Sequence, residues 1–239
     1  MKVDEIFLSL QGETPFAGIP FVFVRLSGCN LRCQYCDTPA ALRPSPLCHV
    51  YLPHHETTLP NPLSVERVAS LLQPFSGHWL SFTGGEPLLQ HEDIESFLHL
   101  APHFRFWMET NGTLFSHVSP TLLEKIEVWS MDIKLPSATG LDLWESHERF
   151  FVALQPAKAI ILKVILTPTT LLSEMETLWN VFQNWKRKRE DITLIFQPMT
   201  HKKEILLGDA LTWAYEKVLS VPDGSVRILP QIHPLLNIR

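Results

Sequence analysis

Seven short apolar runs, each β-branched or aromatic, recur along the chain: FVFVRL (21–26), WLSFTG (79–84), RFWMET (105–110), VWSMDI (128–133), IILKVIL (160–166), TLIFQP (193–198) and VRIL (226–229). Such runs read as strands that are buried on both faces. Most are separated by segments with apolar residues at helical spacing, at 64–73, 91–100, 119–126, 171–188 and 203–219. Ser64 with Arg67 marks one helix start, and Ser173 with Glu176 forms a candidate capping box for another. Strands alternating with helices predict an α/β fold, a mostly parallel sheet covered by helices. Seven strands suit a partial, open β/α barrel, with a flat doubly wound sheet as the alternative. In both, ligands gather at the carboxyl ends of the strands, where several polar motifs stand.

The length of 239 residues fits one domain spanning 1–239, and 45% apolar residues suffice for its core. Residues 39–62, with six prolines and three histidines, break the rhythm and are expected to form an irregular surface excursion. Net charge is −5, and the basic run Lys186–Arg189 reads as a solvated helix end, so a nucleic-acid partner is not expected. The acidic start and the interruption of the longest aliphatic stretch by Lys163 leave no secretory or membrane-spanning segment, which predicts a soluble cytoplasmic protein.

In that reducing setting three clustered cysteines point to a metal rather than to disulfides. LSGCNLRCQYCDTP places Cys29, Cys33 and Cys36 at C-x3-C-x2-C spacing. Three thiolates can hold three irons of a [4Fe–4S] cubane and leave the fourth iron open. The competing structural zinc site needs a fourth ligand, for which Cys48 or His49 is available. Otherwise Cys48 is a spare loop residue, and the histidines at 49, 54 and 55 are solvated. A second motif, FTGGEP (82–87), ends a predicted strand, and its paired glycines let backbone approach a ligand closely.

The cysteine spacing, with Tyr35 before the last cysteine, resembles the radical S-adenosylmethionine enzymes, and GGEP resembles their segment for the methionyl amino group. The resemblance implies that the open iron chelates S-adenosylmethionine and that reductive C–S cleavage gives a 5′-deoxyadenosyl radical. Within that superfamily, SLQGETPFAGIPFVFVRLSGCNLRCQYCDT (9–38) resembles the 7-carboxy-7-deazaguanine synthases of the queuosine and deazapurine pathway. ETNGT (109–113), DIKLPS (132–137), FQPMT (196–200) and PQIHPLLN (230–237) resemble further landmarks of that family in order. Thr14 replaces the second glycine of the family's LQGEG-like segment, Asp132-Ile133-Lys134 stands where Ser-Pro-Lys is frequent, and His233-Pro234 replaces a His-Lys pair.

The resemblance implies conversion of 6-carboxy-5,6,7,8-tetrahydropterin to 7-carboxy-7-deazaguanine by radical ring contraction with loss of ammonia. It implies substrate contacts from Leu10, Gln11, Gly12, Arg25 and Thr83, with the planar fork of Arg25 clamping a carboxylate. Glu13 either joins them or pairs with a nearby base. S-adenosylmethionine contacts are implied at Tyr35, Cys36, Gly85, Asp132, Ile133, Lys134, Gln197, Pro198, Met199 and Thr200, although Asp132 and Lys134 could instead form a structural ion pair. The implied Mg2+ ligand is the Thr38 hydroxyl, beside Asp37, which could equally cap loop N–H groups. A homodimer and an electron donor such as a flavodoxin are implied as well. Two other functions stay open: an activating enzyme that places a glycyl radical on a partner protein, and a zinc-stabilised binding protein.

Overall fold

A computed structural model of the protein describes residues 1–201 and 203–238. The main strands are β1 (Val3–Leu10), β2 (Pro20–Leu26), β3 (Leu47–Leu52), β4 (His55–Pro60), β5 (Trp79–Gly84), β6 (Arg105–Thr110), β7 (Ile126–Asp132), β8 (Ile160–Leu166) and β9 (Thr193–Pro198). The two-residue strands β10 (Thr200–His201) and β11 (Glu204–Ile205) follow, then β12 (Val226–Ile228). The helices are α1 (Val65–Leu72), α2 (His91–Leu100), α3 (Pro120–Lys125), α4 (Pro136–Thr139), α5 (Trp144–Ala153), α6 (Leu172–Lys188), α7 (Asp209–Ser220) and α8 (Ile232–Leu236).

Among the described residues, ten strands form one sheet in the order β12-β9-β8-β7-β6-β5-β2-β1-β3-β4. From β2 through β12 every neighbour is parallel, and these seven strands coincide with the seven apolar runs. The sheet is the mostly parallel, open β/α barrel that the alternation predicts. Alternation of side chains sorts each strand between two apolar clusters. The larger lies under the helices and takes Val22, Val24, Leu80, Phe82, Met108, Leu162, Val164, Leu194 and Phe196. The smaller fills the concave face and consists of Phe7, Phe21, Phe23, Trp79, Trp107, Val128, Ile161 and Ile195. There Phe21 stacks on Trp79 with centroids 5.5 Å apart, and Trp107 meets Trp79 edge to face at 6.0 Å.

Four expectations need correction. Residues 39–62 are not irregular: β3 and β4 form a hairpin that extends the sheet beyond β1. Along β3 the burial alternates, with Cys48, Val50 and Leu52 turned into the core, so Cys48 is a core strand residue rather than a spare loop residue. Pro39 opens a short helical turn, Pro44 and Pro46 precede β3, Pro53 sits in the hairpin turn, Pro60 ends β4 and Pro62 follows it, so none removes an N–H from inside a strand, yet together they mask the period-2 signal. The capping box at Ser173 and Glu176 does not form. Helix α6 is capped at Leu171, and the Glu174 carboxylate turns back to accept from Leu171 N (3.4 Å), Ser137 N (2.6 Å) and Ser137 Oγ (2.6 Å). The helical segment expected from 203 begins only at Asp209, because β10 and β11 pair first. The Ser64 start is as read, with Ser64 Oγ accepting from Arg67 N at 3.1 Å.

β1 escaped the sequence reading for a physical reason. A register shift between Val3 and Glu5 breaks its alternation, so Val3 and Ile6 both enter the larger core while Phe7 enters the concave one.

Candidate active site

The carboxyl ends of β2 and β5–β9, the loop 27–38 and the C-terminal segment enclose a cavity of about 900 Å3. Its floor is the aromatic plug described above. Higher up, two to four residues further along the same strands, the concave face turns polar: Arg25 on β2, Thr83 on β5, Glu109 on β6, Ser130 and Asp132 on β7, and Lys163 on β8.

Cys29, Cys33 and Cys36 all line the cavity, are half-buried and form no disulfide. Burial pushes the thiols of Cys29 and Cys33 up, an environment that disfavours free thiolates and suits metal-bound ones. Cys48 lies fully buried on β3, and His49 Nδ1 sits 3.2 Å from Thr58 Oγ1. Neither lines the cavity, so the fourth ligand a closed zinc site needs is not supplied by either.

The glycines of FTGGEP have a packing role. Gly84 has φ of +125° and a Cβ there would collide with the Leu26 backbone at the end of β2, while a Cβ on Gly85 would collide with the Gly28 carbonyl of the cysteine loop. Gly85 N donates to Leu26 O (3.0 Å) and Glu86 N to Gly28 O (2.8 Å), tying the end of β5 to that loop. The buried Glu86 carboxylate accepts from Leu88 N (3.1 Å), Thr110 Oγ1 (2.8 Å) and Asn111 N (2.7 Å). Burial lifts its pKa to about 7 against those three hydrogen bonds. Asn111 Nδ2 continues the chain of contacts to Asn30 Oδ1 at 2.8 Å. Hence GGE and TN brace the cysteine loop from behind.

Arg25 Nη1 donates to Thr38 Oγ1 (3.2 Å), and its guanidinium stands over the Phe7 ring at 5.3 Å. Thr38 Oγ1 in turn donates to Asp37 Oδ1 at 3.1 Å. Glu13, Asp37 and His233 bring possible metal-ligating atoms within 4.8 Å of one another beside Thr38. Gln231 Nε2 donates to Glu13 Oε1 (2.7 Å) and to Asp37 Oδ2 (3.3 Å). On the other side Lys134 Nζ pairs with Asp132 Oδ2 at 2.9 Å and stands over the Tyr35 ring at 5.1 Å.

Among the described residues, four that line the cavity hold buried polar atoms without a hydrogen-bond partner: Tyr35 Oη, Asp132 Oδ1, Thr200 Oγ1 and Arg25 Nε, the last with Glu5 Oε1 only at ion-pair distance, 4.0 Å. Orphaned groups of that kind are rare in a closed fold and mark a cradle for polar ligands. Leu10, Gln11, Gly12, Thr83, Gly85, Lys134 and Met199 line the same cavity. Ile133, Gln197 and Pro198 do not: Ile133 belongs to the core under the helices, and Gln197 and Pro198 are buried. A strand-end tripeptide cannot turn every side chain toward one face.

Glu109, in the sequence only a member of the ETNGT string, gathers the hydrogen bonds of the polar layer above the floor. Gln11 Nε2 (3.2 Å), Ser81 Oγ (3.4 Å) and Thr83 Oγ1 (3.0 Å) donate to it. Burial, then the Glu13 charge, raises its pKa. An acid on the concave face of an otherwise apolar strand was the signal available in the sequence.

A family model described as the radical SAM superfamily matches residues 23–132. The chain is 34% identical to the 7-carboxy-7-deazaguanine synthase of Geobacter sulfurreducens, over 99% of this chain and 97% of that one. It is also 34% identical to the synthase of that name from Methanopyrus kandleri, over 99% and 94%. The crystal structure of QueE from Escherichia coli shares the fold, with a TM-score of 0.58 at 19% identity over 96% of this chain and 92% of that one. Streptococcus suis SuiB shares it as well, with a TM-score of 0.57 at 10% identity, over 88% of this chain and 48% of that one.

Proposed function

The chain belongs to the 7-carboxy-7-deazaguanine synthase family of radical S-adenosylmethionine enzymes, and from that premise we propose that it converts 6-carboxy-5,6,7,8-tetrahydropterin to 7-carboxy-7-deazaguanine. The observation that carries the reading to this site is the set of orphaned polar atoms on Arg25, Tyr35, Asp132 and Thr200 around one cavity that also holds the three cysteines.

Cys29, Cys33 and Cys36 would hold a [4Fe–4S] cluster, and Tyr35, Cys36, Gly85, Asp132, Lys134, Met199 and Thr200 would hold S-adenosylmethionine, with Ile133, Gln197 and Pro198 packing behind them. When bound, this pair would supply the radical chemistry needed to activate the C6 position of the pterin. The protein's own share is placement. Arg25 presents a planar fork to the pterin carboxylate. Glu109, in the polar layer opposite, accepts from the N–H groups of the aminopyrimidinone edge, with Gln11 and Thr83 on either side of it. The Phe7 and Phe23 rings shut water out beneath the bicycle, which keeps the reacting atoms in fixed proximity. The Thr38 hydroxyl, next to the Arg25 fork, is the Mg2+ ligand of this reading, with substrate and water oxygens completing the shell. Residues 1–239 work as one radical S-adenosylmethionine domain, as a homodimer in the cytoplasm, fed by a one-electron donor such as a flavodoxin. Among the described residues no helix is long and apolar enough to cross a membrane.

Anaerobically reconstituted protein, given reductant, S-adenosylmethionine and the carboxytetrahydropterin, is expected to yield the deazaguanine chromophore with ammonia. Cofactor cleavage with no product, but with a radical on an added partner protein, would establish the activating-enzyme alternative. Colourless protein with stoichiometric zinc would establish the zinc-stabilised one.

A further inference from the structure

Lys163 is the residue that interrupts the aliphatic run of β8, and nothing in the reaction outlined above employs it. Its side chain is 9% exposed and points into the concave face. Nζ lies 2.5 Å from Glu13 Oε2 and 3.4 Å from Asp132 Oδ2. Asp132 Oδ2 is shared with Lys134 at 2.9 Å, and Glu13 Oε1 accepts from Gln231 Nε2 at 2.7 Å. The result is an unbroken ladder of alternating charge, Glu13–Lys163–Asp132–Lys134, laid across the cavity. One end, Glu13, follows the Gln11–Gly12 segment assigned to the pterin. The other, Asp132 and Lys134, is assigned to S-adenosylmethionine.

An ammonium this deeply buried is costly to hold unless it is multiply paired. Burial favours the neutral amine, but the Glu13, Asp132 and Glu109 charges together hold Lys163 protonated. The same ammonium keeps Glu13 ionised despite its own burial. Ordinary sheet packing does not require this, since the neighbouring concave residues Ile161 and Ile195 fill the face with hydrocarbon. Asp132 keeps Oδ1 free of protein partners, so a ligand engaging it pulls on the carboxylate that Lys163 also holds.

We propose that Lys163 is a positioning residue that couples the two ligand subsites: through Glu13 and Asp132 it makes occupancy of the pterin subsite tighten the cofactor subsite, and the reverse. By linkage the coupling is reciprocal, and a factor of about ten lies within the usual range for such networks. The inference rests on the assignment of the two subsites given above.

The test uses anaerobically reconstituted, cluster-loaded protein. S-adenosylmethionine affinity is titrated with and without the carboxytetrahydropterin, and deoxyadenosine formed per deazaguanine formed is counted. Wild type is expected to bind the cofactor about tenfold tighter with pterin present and to cleave about one cofactor per product. Lys163→Met is expected to lose the tightening and to release several deoxyadenosines per product, while Lys163→Arg, which retains the charge, recovers part of both. Because Lys163→Met leaves Glu13 buried without its cation, Lys163→Met/Glu13→Gln is measured beside it. This double variant removes the pair, is expected to fold, and should stay uncoupled. A purely structural lysine would lower the melting temperature and leave both ratios at the wild-type value. Wild-type ratios in either folded variant overturn the proposal, whereas wild-type protein that makes no deazaguanine overturns the functional reading instead.

Discussion

Two layers of the same strands, two to four residues apart, differ in almost everything. The lower layer of the concave face, from Phe7 and Phe21 to Ile195, is closed and apolar and is held by ring contacts such as Phe21 on Trp79. The upper layer, Arg25, Thr83, Glu109, Asp132 and Lys163, is polar and mostly charged, and two of its atoms, Arg25 Nε and Asp132 Oδ1, have no hydrogen-bond partner among the described residues. The lower layer packs the barrel, leaving among its rings only the Trp107 indole N–H without a partner among the described residues, and the upper one presents polar groups to the cavity. The difference teaches that position along a strand, counted from its carboxyl end, separates packing from chemistry more sharply than residue type does. Trp107 and Glu109 are neighbours on one face of β6, yet they belong to different layers.

Substitutions above and below the boundary sharpen that contrast. The largest effect is expected at the cysteine loop: Cys29→Ala, Cys33→Ala or Cys36→Ala should abolish the brown chromophore and cofactor cleavage outright. Cys48→Ala should retain both and lose only core packing, about 1 kcal/mol for one small buried group. Loss of the cluster in Cys48→Ala to the same extent would break the assignment of ligands. In the lower layer, Trp107→Ala should cost about 3–5 kcal/mol of stability in denaturant titration, because a fully buried indole leaves a large void. If instead it unfolds like a surface variant, the plug is not what holds the barrel.

In the upper layer, Glu109→Gln keeps shape and loses charge. It should lower kcat/KM for the pterin by roughly 100-fold, or about 2.7 kcal/mol of transition-state binding, with a much smaller change in melting temperature than Trp107→Ala gives. The reverse pattern would place Glu109 in the packing layer. The subtlest effect, because it is spread over a pH interval, concerns the brace behind both. Glu86 has its pKa raised by burial to about 7 from the usual 4.5. A raised carboxyl favours the folded state below its unfolded pKa, and that contribution fades as pH climbs through the folded value. Wild-type stability should therefore fall between pH 4.5 and about 7 by up to about 3 kcal/mol from this group. Glu86→Gln lacks the titration, so its melting temperature should gain on wild type across that interval. An unchanged gap between the two curves would show that Glu86 is not titrating in this range.

The sequence by itself determined the parallel strands, because apolar runs bounded by polar ends and helical spacing are local signals that burial on both faces enforces. It also placed the cysteine loop and most of the cavity residues, since Cys29, Arg25, Thr83 and Lys134 sit at strand ends or in motifs of fixed spacing. Only the tertiary structure decided the rest. The β3–β4 hairpin became visible through its pairing with β1, and Cys48 through its burial there. Likewise Glu13, Glu109 and Lys163 acquired meaning when strands far apart in the chain brought their charges together on one face. Period and propensity are properties of a few consecutive residues. An ion pair between positions 13 and 163 depends on how the whole sheet curves, and no local pattern records it.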